Sequence, residues 1–243
     1  MKIIAQMLGG SHSYGLNTSS SDIDVRGIFL NEDVSTIIGL GRHEHQLKQK
    51  DSEDSVMTEF RNALKLLRSS NTQMVEMLFN ENWVSVSEEW NEVIKYRSQL
   101  IDSEKLFSSL RGYKSGELKL TLGIRTGKLG GKRYEQLQKF GYSPKNAVQC
   151  LRLMWAGKIY FSKNYFPVLI SQEDKNLSDL LLDIKVNPQN YSIDFIKNEI
   201  EKYEQLMIQS FNNRKTSTFF NEDLANNLCF KTYYPLLENL KTK

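Results

Sequence analysis

Cysteine and histidine are scarce in this chain, with two and three residues among 243. Cys150 and Cys229 stand alone inside apolar, helical-looking text, so they read as buried thiols, not as a disulfide or a metal pair. No Cys-x-x-Cys or His-x-x-x-His occurs, and His12, His43 and His45 make no zinc pattern. Long apolar runs are also missing. Nothing approaches the roughly 20 residues needed to cross a bilayer, and the opening MKIIAQMLGG lacks a signal-peptide pattern, so a cytoplasmic protein is expected. No Gly-x-x-x-x-Gly-Lys-[Ser/Thr] stretch is present, which argues against a P-loop enzyme. Internal repeats and low-complexity tracts are absent as well.

What remains is an ordinary globular composition, 40% hydrophobic and 25% charged, long enough for one large domain or two small ones. The net charge of +3 conceals an asymmetry. Residues 1–110 carry 11 basic against 16 acidic side chains, residues 111–163 carry 12 against 2, and residues 164–243 carry 9 against 11. A positive middle beside an acidic first third suits a carboxylate–metal site that meets a phosphate-rich substrate. The alternative is a solvated basic helix face.

Periodicity changes along the chain. Residues 2–8 are apolar and short, either a strand running into a turn or a helix ended by Gly9-Gly10. Residues 23–29 and 54–58 read as strands, and 83–86 as a further candidate. Ile37–Leu40 is a short apolar run, and residues 41–52 read as loop or edge hairpin. Phe60, Ala63, Leu64 and Leu67 follow helical spacing, and helical text returns over 74–79 and 88–99. Beyond Asp102 helices dominate: 114–122, 134–140, a helix capped by Ser143 with Pro144 in its first turn, 195–212, and 223–240 with a break at Pro235. The expected fold class is therefore α/β (α+β), a small mixed sheet flanked by helices and followed by a helical C-terminal domain. The domain line is placed at 105/106, giving 1–105 and 106–243.

Chemistry concentrates in LGGSHSYGLNTSSSDIDVRGIF, residues 8–29. The Gly9-Gly10-Ser11 turn can offer backbone N–H groups to a phosphate, because glycine permits close approach and positive φ. Asp22 and Asp24, two apart on a strand, would share one side of a sheet and suit hard Mg²⁺, which takes oxygen ligands and shares them with substrate phosphates. Arg26 would join them on that side, either paired with the aspartates or meeting a phosphate. His12 is a loop histidine of incidental character. On the helix after Pro144, Lys145, Gln149 and Arg152 are spaced i, i+4, i+7 and form a polar stripe on an otherwise apolar helix, as in a lined cleft; an amphipathic surface helix is the alternative. Lys128, Lys132 and Arg133, set among glycines, read as a phosphate-gripping loop or a solvated connection. Tyr113, Tyr134 and Tyr142 interleave this basic region as base-stacking or core residues.

Gly10-Ser11 followed by Asp22-Ile23-Asp24 resembles the signature of the DNA polymerase β-like nucleotidyltransferase superfamily. The longer match, Gly10-Ser11-His12-Ser13-Tyr14-Gly15 and then Ser21-Asp22-Ile23-Asp24-Val25-Arg26-Gly27-Ile28, resembles one branch, the predicted nucleotidyltransferases associated with RNA-repair ligases. Asp54 to Leu78 and Phe140-Gly141-Tyr142 through Lys145, Ala147 and Leu151-Arg152-Leu153 are similar to two further stretches of that pattern. The resemblance implies that Gly10 and Ser11 hold a nucleoside triphosphate (NTP), with Arg26, Lys145 and Arg152 as further nucleotide contacts. It also implies that Asp22 and Asp24 hold Mg²⁺ or Mn²⁺. A third carboxylate would be Asp54, with Glu59 as the alternative. Their odd spacing puts the two on opposite strand faces, and Asp51 and Glu53 compete locally. The branch shows a His where Gln149 stands, and an amide carries neither proton nor charge at neutral pH. The implied activity is transfer of a nucleoside monophosphate to a hydroxyl with release of pyrophosphate. An RNA 3′ end such as that of tRNA is the favoured acceptor. A protein or small-molecule acceptor, or a catalytically silent nucleotide- or RNA-binding module, is the alternative. No membrane partner is expected.

Overall fold

The computed structural model describes residues 1–38, 44–49, 54–125, 127 and 130–238. In chain order the first part runs β1 (Lys2–Leu8), α1 (Gly10–Tyr14), β2 (Asp24–Leu30), α2 (Val34–Ile38), β3 (Gln46–Gln49), β4 (Asp54–Glu59), α3 (Phe60–Arg68), α4 (Thr72–Phe79), β5 (Trp83–Val86) and α5 (Glu88–Lys95). The helices α6 (Ser103–Thr121), α7 (Gly131–Phe140), α8 (Pro144–Lys163), α9 (Ile170–Glu173), α10 (Lys175–Val186), α11 (Ile193–Asn212) and α12 (Glu222–Glu238) follow. The fold is mixed α+β with a helical C-terminal region, as the sequence pattern requires.

The sheet order is β3-β4-β2-β1-β5. β2 and β4 are parallel, and every other pairing is antiparallel. The open choice at residues 2–8 falls to a strand because β1 has a hydrogen-bonded neighbour on both edges. Part of the 41–52 stretch, Gln46–Gln49, is the edge strand β3, paired antiparallel with β4. The apolar run at Ile37–Leu40 contributes only the end of α2; Gly39 and Leu40 lie outside the described residues.

Val25, Phe29 and Met57 form one buried cluster with Leu47 packed on it, so this face of the sheet is apolar. The two-residue period then places Asp24 and Arg26 on the opposite face. Directly after Arg26, Gly27 crosses so close to β1 that a Cβ would stand 2.6 Å from the Ala5 carbonyl oxygen and collide with Met57 Sδ. Only glycine lets β2 carry Asp24 and Arg26 past β1 at this separation.

By packing, the chain divides into two compact units, one of Met1–Asp102 with Thr218–Lys243 and one of Ser103–Ser217. In the first, α3 buries Phe60, Ala63, Leu64 and Leu67, the face its spacing predicts. Phe60 meets Trp90 of α5 and Tyr233 of α12 edge-on, at 6.4 and 6.1 Å between ring centroids. The last helix thus completes the core beside the sheet. It also runs through Pro235, where the sequence suggested a break. Proline there costs the helix one backbone hydrogen bond, to the carbonyl of Lys231, without ending it.

In the second unit α8 is the central helix, with fourteen buried residues including Trp155 and Tyr160. Ser143 and Pro144 start it at the expected place, but the Ser143 hydroxyl donates to Asn146 Oδ1 at 2.6 Å and makes no cap bond to the backbone. An aromatic cluster of Phe107, Phe161 and Phe211 ties α6, α8 and α11 together, the Phe107 and Phe211 rings stacking at 3.9 Å. Among the described residues no helix is long and apolar enough to cross a membrane.

Candidate nucleotide and metal site

β1 ends at Leu8, and the chain turns at once into the short helix α1. The Gly9 N–H donates to the Asp24 carbonyl at 2.7 Å, which pins the turn to the first residue of β2. Gly10 has φ +57°, and a Cβ there would overlap Asp24 Oδ2. A Cβ at Gly9 would lie 3.0 Å from both Cγ and Nε of Arg26. Turn, carboxylate and guanidinium therefore share one small volume. Glycine is required at position 10 twice over, by the left-handed backbone and by the missing space.

The rest of the motif builds this turn. The Ser13 hydroxyl donates to the Gly10 carbonyl at 2.9 Å, and the Leu16 N–H to the Ser11 carbonyl at 2.9 Å. Buried Tyr14 donates to Glu76 Oε2 on α4 at 3.0 Å, anchoring α1 in the core. The following loop is braced by the Ser21 hydroxyl, which accepts from the Thr18 N–H at 2.9 Å. Ser11, Asp22, Asp24 and Arg26 are left with no side-chain hydrogen bond or ion pair among the described residues. Of the two readings of Arg26, a structural pairing with the aspartates is therefore not formed.

Asp22 stands in the loop just before β2 and is exposed, while Asp24 begins the strand and is half-buried. Strand periodicity thus governs Asp24 and Arg26 but not Asp22, whose position is set by the braced loop. Asp54 is the parallel register partner of Asp24, so the two Cα atoms face each other across the ladder. The Asp54 side chain, like Asp51 and Glu53 as a whole, lies outside the described residues. Glu59 sits at the far end of β4, opposite Phe29, about 17 Å of strand rise from Asp54. Its carboxylate is 2% exposed, accepts from the Asn62 N–H at 2.9 Å as the N-cap of α3, and receives the Tyr233 hydroxyl. Burial and that carboxylate push the Tyr233 phenol far above its ordinary value.

Hard oxygen donors suit Mg²⁺, which keeps several waters and needs few protein carboxylates when substrate phosphates supply the rest. Asp22 and Asp24 fit that description. No group of three His, Cys, Asp or Glu side chains gathers among the described residues. His12, on α1 beside Ser11, has a buried Nε2 with no hydrogen-bond partner among the described residues. Sequence position alone made it look incidental, and only its burial distinguishes it.

In the helical unit Lys145 is exposed, Gln149 half-buried and Arg152 1% exposed, so the stripe descends from surface to core along α8. Arg152 Nε donates to Gln149 Oε1 at 3.2 Å. Burial, then the charge of Lys145, holds the Lys185 ammonium below its ordinary value. Lys132 and Arg133 occupy the first turn of α7 and not a glycine loop; Lys128 lies outside the described residues, as does His43. Tyr142 is fully buried, donates to the Pro188 carbonyl at 2.9 Å and is pushed up to about 12 by burial, so it is core. Tyr134 is 46% exposed. Cys150 is buried and its thiol is driven well above the usual range, mainly by burial; Cys229 is only half-buried and is raised to about 11, again mainly by burial.

A family model described as the RNA repair pathway DNA polymerase beta family (RlaP) matches residues 1–190, which covers β1 through α10. No curated protein matches the chain.

Proposed function

The chain belongs to the RNA repair pathway DNA polymerase beta family, and from that premise we propose that it is a metal-dependent nucleotidyltransferase. It would move a nucleoside monophosphate from an NTP to the hydroxyl at an RNA 3′ end. The observation that carries the reading is the Gly10 turn pressed against Asp24, a half-buried carboxylate that no described side chain pairs.

In this reading the backbone N–H groups and hydroxyl at Ser11 donate to the triphosphate, and Arg26, lying along Gly9, adds a charge-assisted donor. Asp22 and Asp24, with Asp54 in register beside Asp24, would hold Mg²⁺ or Mn²⁺. When bound, such ions acidify the attacking hydroxyl and neutralise charge on the departing pyrophosphate. The acceptor oxygen forms a bond to the α-phosphorus as the bridging P–O bond to the β-phosphate breaks. The hydroxyl proton passes to a carboxylate of the acidic set, and pyrophosphate leaves. The protein's share is positioning and charge stabilisation. Glu59 is assigned to structure, because its oxygens already cap α3 and hold Tyr233. Lys145 is exposed and available to a phosphate, and Arg152 orients Gln149.

The test is incubation with each α-labelled NTP, Mg²⁺ or Mn²⁺ and total RNA, comparing wild type with Asp22→Ala/Asp24→Ala. Label is expected on RNA for the wild type and not for the variant. Transfer under no condition would overturn the enzyme reading; transfer to protein or a small molecule alone would overturn the RNA acceptor.

A further inference from the structure

The helical unit carries a second feature that the nucleotide site does not use. The C-terminal halves of α8 and α11 and the segment that follows α11 enclose a groove of about 590 Å³. Its charged lining is Lys158, Lys163, Arg214 and Lys215, with no acidic residue among the lining side chains. The remaining walls are largely amides and hydroxyls, including Asn164, Gln209 and Thr216.

Cations at helix C-termini have an ordinary explanation, since they offset the partial negative charge there. Here that explanation falls short. Two helix ends carry roughly half a charge each, about −1 together. Arg214 already serves α11, donating from Nη1 to the Phe211 carbonyl at 2.6 Å, and its own charge is paired with Glu104. Asn164 in the left-handed conformation closes α8 through its N–H to the Tyr160 carbonyl at 2.8 Å. The ammonium groups of Lys158, Lys163 and Lys215 make no ion pair or hydrogen bond among the described residues. Three ammonium charges thus face the groove, about two more than the helix ends and Glu104 neutralise.

The groove is also built. Arg214 is fixed by Glu104, by Ser217 Oγ at 3.1 Å from Nε, and by stacking 3.8 Å over the Phe211 ring. Asn164 Nδ2 donates to Thr216 Oγ1 at 2.7 Å and ties the end of α8 to the chain beyond α11. The only aromatic in the lining, Phe161, is 3% exposed, so no ring is offered for base stacking. A groove rich in cations, amides and hydroxyls but without stacking rings suits phosphate and sugar oxygens, and it carries no base preference.

We infer that this groove binds the phosphodiester backbone of single-stranded RNA, independently of sequence. It deepens the nucleotidyltransferase reading by giving the RNA acceptor a grip of its own, and it rests on that reading for the choice of RNA as the polyanion. The test uses the whole chain and a fluorescent oligouridylate, with affinity measured across a salt series. Each single-strand phosphate contact contributes about 0.7 to the slope of log affinity against log salt. Lys158→Gln/Lys163→Gln/Lys215→Gln is expected to lower that slope by about 2 and to weaken binding at least about tenfold at 0.1 M salt. The corresponding triple Lys→Arg variant is expected to keep the slope of the wild type. Equal melting temperatures for all three proteins establish that the variants are folded. Asp22→Ala/Asp24→Ala is expected to bind oligouridylate with the wild-type slope. An unchanged slope in the Gln variant would overturn the groove while leaving label transfer intact. Loss of binding to anionic vesicles but not to RNA would overturn it as well. A lowered slope in a protein that transfers no label would uphold the groove and remove the enzyme reading.

Discussion

At the scale of single residues, the site joins side chains that no described residue pairs to a glycine, Gly10, that both backbone and space require. Asp24→Asn removes a charge with no described partner, so it is expected to leave the melting temperature within about 2 °C while abolishing label transfer. Gly10→Ala should lose stability as well as transfer. It strains a left-handed backbone and drives a methyl into Asp24, and should cost about 1–3 kcal/mol in denaturant unfolding besides losing transfer. Gln149→Leu strips the acceptor from the buried Arg152 Nε and should destabilise by about 1–3 kcal/mol, read by the same unfolding measurement. Much of this was legible from residue types and spacing: Gly10, Ser11, Asp22, Asp24 and Arg26 were all named from the linear pattern. The burial of His12 Nε2 was not, because a histidine between two serines looks the same in sequence whether its ring faces water or core.

Between residues and the whole lie the elements, where capping and register decide roles that spacing left open. Glu59 matched an acidic position of the motif, yet it is the N-cap of α3 and the partner of Tyr233. Glu59→Gln is expected to lower stability by about 1–2 kcal/mol while label transfer persists, which separates a helix cap from a metal ligand. The tie between β1 and α5 has a pH signature. Glu89 is subject to burial, which raises its pKa, but hydrogen bonds from Lys2 and Ser87 and the Lys2 charge prevail and hold it at about 2, below its ordinary 4.5. The folded value is the lower one. The stabilisation is therefore complete above pH 4.5 and is lost as the pH falls from there toward about 2. Glu89→Gln should flatten the fall of melting temperature over that interval. Helical spacing foretold α3 because burial of one face repeats at 3.6 residues, whereas α8, buried nearly all round, was marked by Ser143-Pro144 at its start. It could not decide β1, whose seven residues are strand only because β2 and β5 lie on both sides.

For the molecule as a whole, the last helix matters most. Thr218–Lys243 belongs to the unit that holds the sheet, and α12 brings Tyr233 against Phe60 and Glu59. Removing residues 218–243 is expected to unfold the first unit, exposing Phe60 and Trp90, whereas residues 103–217 expressed alone should keep the helical circular dichroism of their own unit. A truncated protein with an unchanged melting profile would refute that assignment.

The sequence by itself determined the chemistry that short-range pattern can encode. Glycine, serine and aspartate at set intervals specify a glycine turn beside carboxylates, apolar periodicity specifies which faces are buried, and the charge count specifies where cations concentrate. Only the tertiary structure decided what depends on atoms distant along the chain. Asp54 stands in register with Asp24 through a parallel ladder, Gly10 and Asp24 compete for one volume, Glu59 is taken up by a tyrosine 174 positions later, and three lysines face one groove. The reason is physical: local preference acts over a turn or two of backbone, while register, shared volume and the pairing of charges are settled by which surfaces exclude water together.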